Sequence, residues 1–189
     1  MSIPEILDQT IVHDGWAKYS LLRVCLADGQ IVQRELEEHG PAVTVLPYDP
    51  ERRTAILVCQ FRAPVLMAAG ESASVEAVAG LTDGDAPEEA ARREVLEETG
   101  VRLTALESVS WLWTMPGLST ERMHLYLAPY AGSDRVGEGG GAPGEHENIT
   151  VLELPLRELA AKADAGALAD MKTFALVQTL RLRRPELFA

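Results

Sequence analysis

The sequence predicts a mixed α/β (α+β) fold, with helices packed on both sides of a mixed sheet and a small β-rich segment in front. Three observations predict it. Apolar runs of strand length dominate residues 42–62 and 108–130, a sharply punctuated helix interrupts them at 87–100, and two helical stretches close the chain. The expected organisation is an N-terminal β-hairpin region over 1–40 and a main domain over 41–189.

Taken in order, residues 17–26 and 31–36 flank Asp28-Gly29, and such a pair between apolar runs signals a hairpin. Pro41 introduces AVTVLPY (42–48), which breaks at Asp49-Pro50, and AILVCQFR (55–62) is the next strand. Residues 63–74 are rich in Pro, Ala, Gly and Ser and read as a loop. VEAVAG (75–80) is a short extended segment ending in glycine. A helix follows from Pro87 near the first turn, with acids behind it and Gly100 as its stop. SVSWLWT (108–114) and RMHLYLAPY (122–130) form a strand pair joined across MPGLST. Residues 131–148 are a glycine-rich loop centred on GEGGG, and loops of that length in compact domains are usually functional or disordered. ITVLELP (149–155) is a strand, and helices are expected near 156–164 and 168–183.

Composition narrows the function. Hydrophobic residues make up 47% of 189, enough for a substantial core, and no run reaches the roughly 18 apolar residues of a membrane helix. The start, MSIPEILDQT, lacks the basic and apolar blocks of a signal peptide, and Cys25 and Cys59, inside apolar stretches, read as buried reduced thiols. These features imply a cytoplasmic protein that does not engage a membrane. A net charge of −12 argues against a nucleic-acid polymer as partner. A phosphate substrate would then need local arginines or divalent cations.

The helix from Pro87 carries Glu94, Glu97 and Glu98. At about 100° per residue they share an arc of roughly 100°, a self-repelling cluster that hard cations could offset. As an isolated triplet it reads first as a solvated acidic face, and its surroundings reverse that reading. Its surroundings, GLTDGDAPEEAARREVLEETGV from Gly80, resemble the Nudix box, a loop-helix-loop signature whose REUxEExGU half (U, aliphatic) carries metal-binding glutamates. The resemblance implies an αβα Nudix sandwich and a Mg2+-dependent hydrolase of nucleoside diphosphate derivatives, with Mn2+ as a substitute ion. It makes Glu94, Glu98 and the carbonyl of Ala79 metal ligands, places Glu97 with them, and has Arg93 orient a carboxylate. The chain departs from the usual box in one place: the loop after Gly80 is one residue shorter and its first acid is Asp85, not glutamate.

Further segments resemble the GDP-mannose pyrophosphatase branch, close to the ADP-ribose pyrophosphatases: QFR (60–62), MPGLSTE (115–121), GGG…EHENITVLELP (139–155) and DMKT (170–173). The implied substrate is a nucleotide sugar, GDP-mannose, with ADP-ribose as the alternative. Glu147 becomes the further carboxylate, as ligand or general base alongside Glu97 and Glu98, with Glu145 as the fallback register. Substrate contacts are expected from Trp16, Arg34, Glu35, Arg62, Gly80, Leu81, Glu121 and Lys172. Each has a plainer reading: Arg62 an exposed ion pair, Glu121 and Lys172 surface charges, Trp16 a core or interface residue. Relatives in this branch are homodimers whose hairpin reaches the partner's site, which would put Arg34 and Glu35 in trans. A Nudix-fold sensor without hydrolysis is the rival from another class, but it should have lost a box glutamate or gained a DNA-binding segment.

Overall fold

The computed structural model describes residues 2–142 and 148–189. They form two compact units, Met1–Pro41 with Leu112–Met123, and Ala42–Trp111 with His124–Ala189.

In the first unit, β1 (Glu5–Asp14), β2 (Lys18–Cys25) and β3 (Ile31–Glu38) make an antiparallel sheet in that order. The hairpin turns at Asp28-Gly29 as predicted: Gly29 takes φ +86°, and the Asp28 carboxylate accepts the Gln30 amide at 3.0 Å. The expected hairpin is therefore one strand larger. Every residue of β1 is exposed, so it has no buried face to write alternation into its sequence.

The second unit is built on β4 (Ala42–Asp49) and β5 (Thr54–Gln60), the two apolar runs, with β4 buried throughout. Total burial explains why neither run alternates: both faces of the strand are covered. These strands belong to a seven-stranded mixed sheet whose main path is β10 (Thr150–Pro155), β5, β4, β9 (Arg122–Pro129) and β8 (Glu107–Trp113). Two short strands, β6 (Ser74–Glu76) and β7 (Val78–Leu81), pair with β5 and β4 respectively.

Helix α2 (Pro87–Thr99) buries Ala90, Ala91 and Val95 against Val43, Val45, Ile56, Val58 and Val78. Because strand side chains alternate, the fully buried Leu46 and Leu57 face the other way. Helices α3 (Leu156–Asp164) and α4 (Met171–Arg183) bury Leu156, Leu159, Leu176, Val177 and Leu180. These helices contact each other, and they reach the sheet at β10 and β4.

Two expectations need correction. Residues 63–74 are not all loop, because Ala63–Ala69 form helix α1, started by a proline and stopped by Gly70 at φ +74°. It buries no residue, so no apolar stripe announced it. The cysteines are free, but both are only half-buried.

The glycine-rich loop is tied to the end of α2. Gly100 ends the helix at φ +72°, and a Cβ there would collide with the backbone of Gly137. Gly100→Ala is therefore expected to cost at least about 2 kcal/mol, through an unfavourable φ and a rigid clash. Urea unfolding of the variant beside the wild type checks this; a change under about 0.5 kcal/mol contradicts the close packing.

Candidate active site

The site begins where β4 and β5 part. They pair at Tyr48–Ala55 and Asp49–Thr54, and then each takes a new partner. Segment 74–81 supplies both: Ser74–Glu76 pairs with β5, and Val78–Leu81 pairs with β4, from Val45–Val78 to Ala42–Leu81. Thr44 pins this segment by donating its buried hydroxyl to the Val78 carbonyl at 2.9 Å. Glu76 and Ala79 thus lie on one extended piece of chain, no more than about 11 Å apart by backbone reach.

Opposite Gly80 stands Glu94 of α2. Its carboxylate fills the space a Cβ on residue 80 would occupy, so glycine here leaves room for the end of that side chain over the strand. Arg93 organises the acids around it. Its guanidinium donates to Glu94 at 2.6 Å and to the Leu81 carbonyl at 3.0 Å, and it lies 3.5 Å from Glu97, 3.5 Å from Asp85 and 3.7 Å from Asp83. Burial would lower its pKa, but Glu94 and Glu97 outweigh that and raise it. The shortened loop closes in a tight turn: Asp83 and Gly84 both take positive φ, and the Asp85 amide donates to the Thr82 carbonyl at 2.8 Å. Glu98, one turn beyond Glu94, is only 1% exposed and points with Val95 into the protein.

The end of α2 is capped by the loop. Gly140 and Gly141 donate their amides to the carbonyls of Glu98 and Glu97 at 2.9 and 3.1 Å, and a Cβ at Gly139 would collide with the Glu98 carbonyl. These amides satisfy helix-end acceptors that otherwise lack a partner.

A second cluster centres on Glu76, which the sequence reading missed. Both its oxygens accept from Arg62, at 3.0 and 3.1 Å, and one also accepts from Lys172 at 2.5 Å. Lys172 reaches Asp170 at 3.0 Å, and Asp170 caps α4 through the Thr173 amide at 2.9 Å. Burial pushes the Glu76 carboxyl up, yet the Arg62 and Lys172 cations win and hold it at about 2. A cavity of about 460 Å3 opens beside this cluster, lined by Glu76 and Asp170 over Leu57, Val75, Leu152 and Leu154.

In the first unit, Trp16 and Glu121 meet at His39. Trp16 is 78% exposed, which rules out a core role, and its ring stacks on His39 with centroids 4.8 Å apart. The imidazole lies between Glu37 and Glu121, the latter at 3.4 Å. Burial favours neutral His39, but the two carboxylates prevail and raise its pKa. Ser119 donates to Glu37 and Thr114 to Glu121, each at 2.6 Å. Arg34 and Glu35 are exposed neighbours on β3, hence on opposite faces, and Glu35 accepts from Tyr19 at 2.6 Å.

The sequence-predicted residues thus fall into three groups: Ala79, Gly80, Leu81, Glu94, Glu97 and Glu98 around α2; Arg62 and Lys172 on Glu76; Trp16 and Glu121 on His39. Glu147 and its fallback Glu145 lie outside the described residues. The missed hubs, Glu76 and His39, carried no signal beyond being charged or titratable residues near apolar runs.

A family model for the NUDIX domain matches residues 38–174, well over half of the chain. The chain belongs to the Nudix family. A GDP-mannose pyrophosphatase of Cronobacter sakazakii is 42% identical over 159 residues, 82% of each chain. Another, from Pectobacterium atrosepticum, is 37% identical over 190 residues, 97% of each chain. The crystal structure of an ADP compounds hydrolase superposes with a TM-score of 0.79 at 19% identity, covering 98% of this chain and 96% of its own, so the fold is shared.

Nudix hydrolases generally use divalent metals. Among the described residues, no three His, Cys, Asp or Glu side chains converge enough to hold one unaided. What α2 and β7 do offer is two glutamates one turn apart and a peptide carbonyl beside the side-chain-free Gly80, all hard oxygen donors suited to such a cation.

Acid should weaken the cluster around Glu76. Glu76 titrates lower folded than unfolded, so its stabilisation is complete above the unfolded carboxylate pKa and is lost as pH falls toward about 2. The loss amounts to roughly 3 kcal/mol. Urea unfolding between pH 6 and pH 3 should show a shallower pH dependence in Glu76→Gln than in wild type; identical slopes would count against the network.

Proposed function

We propose that this Nudix hydrolase is a Mg2+-dependent pyrophosphatase of nucleotide sugars that splits GDP-mannose into GMP and mannose 1-phosphate. The observation that carries the chemistry is the approach of Glu94 to Gly80, which brings a glutamate-bearing helix against strand β7. The substrate rests on relatives named GDP-mannose pyrophosphatase that align over most or all of the chain.

In this reading Glu94, Glu98, the Ala79 carbonyl and Glu147 would hold Mg2+, with Mn2+ as a substitute. A cation held there would supply neutralisation of the pyrophosphate charge and acidification of a water. Glu97, Glu98 or Glu147 takes the proton of the attacking water. Arg62 and Arg34 balance charge building on the phosphates, and Lys172 donates to a phosphate or a sugar hydroxyl. Gly80 and Leu81 line the substrate with backbone, Trp16 stacks on the base, and Glu121 accepts hydrogen bonds from base or sugar.

The reading includes a homodimer formed through residues 1–40, with Arg34 and Glu35 acting in the partner's site. Strand β1 supports it by exposing Ile6, Leu7, Ile11 and Val12 together on a sheet edge. No helix among the described residues is long and apolar enough to cross a membrane, and the reading places the enzyme in the cytoplasm.

Glu98→Gln is expected to lower kcat at least about 1,000-fold, with an unchanged circular dichroism spectrum. Near-normal turnover in saturating Mg2+ would remove Glu98 from the mechanism. Across a nucleotide-sugar panel, kcat/KM for GDP-mannose should exceed that for ADP-ribose by about tenfold or more, a difference of 1.4 kcal/mol in transition-state binding. The reverse order would make the enzyme an ADP-ribose pyrophosphatase that yields AMP and ribose 5-phosphate. Light scattering at micromolar concentration should give a dimer; an active monomer would refute catalysis in trans.

A further inference from the structure

Lys172 stands where a cation is least welcome. It is the second residue of α4, at the positive end of the helix dipole, and it is nevertheless drawn in to 15% side-chain exposure. Two carboxylates hold it there, Asp170 of its own helix cap and Glu76 from β6. Glu76 is 4% exposed and also receives the Arg62 guanidinium on both oxygens, the fork geometry that fixes an arginine in direction as well as distance.

Stability alone does not account for this carboxylate. An apolar side chain of similar volume would occupy a buried strand position without the cost of desolvating a charge. What the carboxylate adds is direction. It gathers two cations from distant parts of the chain, one following β5 and one opening α4, onto a single point. The start of α4 is fastened to the same place, because the Thr173 hydroxyl accepts the Ala77 amide at 2.6 Å and donates to Asp170 at 2.5 Å. Arg62 and Lys172 against Glu76 and Asp170 make a neutral quartet, so an anion gains here from pre-aimed donors and little from net field.

We infer that Glu76 is a positioning residue of the substrate site: it holds Arg62 and Lys172 as a preassembled clamp for one phosphate group of the nucleotide sugar. The inference rests on the proposed reading that these two cations bind substrate. Glu76 touches no reacting atom. The cluster sits on β6 and at the start of α4, while the candidate metal ligands sit on α2 and β7, so its loss should weaken binding more than it slows the chemical step.

The test is Glu76→Gln in the full chain, assayed with GDP-mannose at saturating Mg2+ beside Lys172→Met and the double variant. Glu76→Gln should raise KM about tenfold while kcat changes less than about threefold. The double variant should be little worse than Lys172→Met, because the first change acts through the second residue. A lower melting temperature is expected either way; a purely structural Glu76 predicts an unchanged KM for folded enzyme and effects that multiply, and that result overturns the inference. If Glu76→Gln does not fold, Glu76→Asp keeps the charge on a shorter arm and should raise KM by a smaller factor; an unchanged KM is equally fatal. Should the wild type hydrolyse no nucleotide sugar, the parent reading fails, and calorimetric titration of inorganic pyrophosphate decides the clamp. Wild type should then bind about tenfold tighter than Glu76→Gln, and equal affinities refute it.

Discussion

An absent side chain organises the second unit. Because residue 80 is glycine, Glu94 can lie directly over β7, and α2 descends onto the fork between β4 and β5. The rest follows from that approach. Ala90 and Ala91 are small enough to continue the contact, Val95 fills the core beneath, and Glu98 is carried inward one turn later. A larger residue at position 80 would push the Glu94 carboxylate from its place over the strand and so disturb the oxygen donors that the site requires.

The second theme is how a chain of net charge −12 keeps its acids in order. Crowded carboxylates repel, and each crowd here is built around a cationic or titratable centre. Arg93 serves Glu94, Glu97, Asp83 and Asp85; Arg62 and Lys172 serve Glu76; His39 serves Glu37 and Glu121. The acid-to-base excess is therefore no measure of local charge. Around Arg93 the acids are in excess, whereas on the Glu76 carboxylate the cations are, so local balance differs from cluster to cluster.

Much of the fold was legible because its signals are local. Pro87 and Gly100 bracket α2, Asp28-Gly29 marks its hairpin, and the unbroken apolar runs of β4 and β5 declare strands buried on both faces. Strand β1 and helix α1 escaped for a shared reason: neither buries a residue, so neither needs the periodicity by which elements are recognised. Candidate site residues divide the same way. Those of the Nudix box were readable from spacing within one helix and its loop. Glu76 and His39 were not, because their importance lies in long-range pairs, Glu76 with Lys172 and His39 with Glu121, which no local pattern encodes.

The glycine-rich loop after β9, packed on the end of α2, also sets where this fold cannot vary. Gly137, Gly139, Gly140 and Gly141 are each in close contact or hydrogen-bonded register with the last turn of the helix, down to the carbonyls of the residues whose side chains form the acidic cluster. An insertion or deletion within this stretch would pull on the helix backbone and misplace those side chains. The glycine-lined portion is therefore the fixed hinge plate of the site, on which the register of the helix end depends.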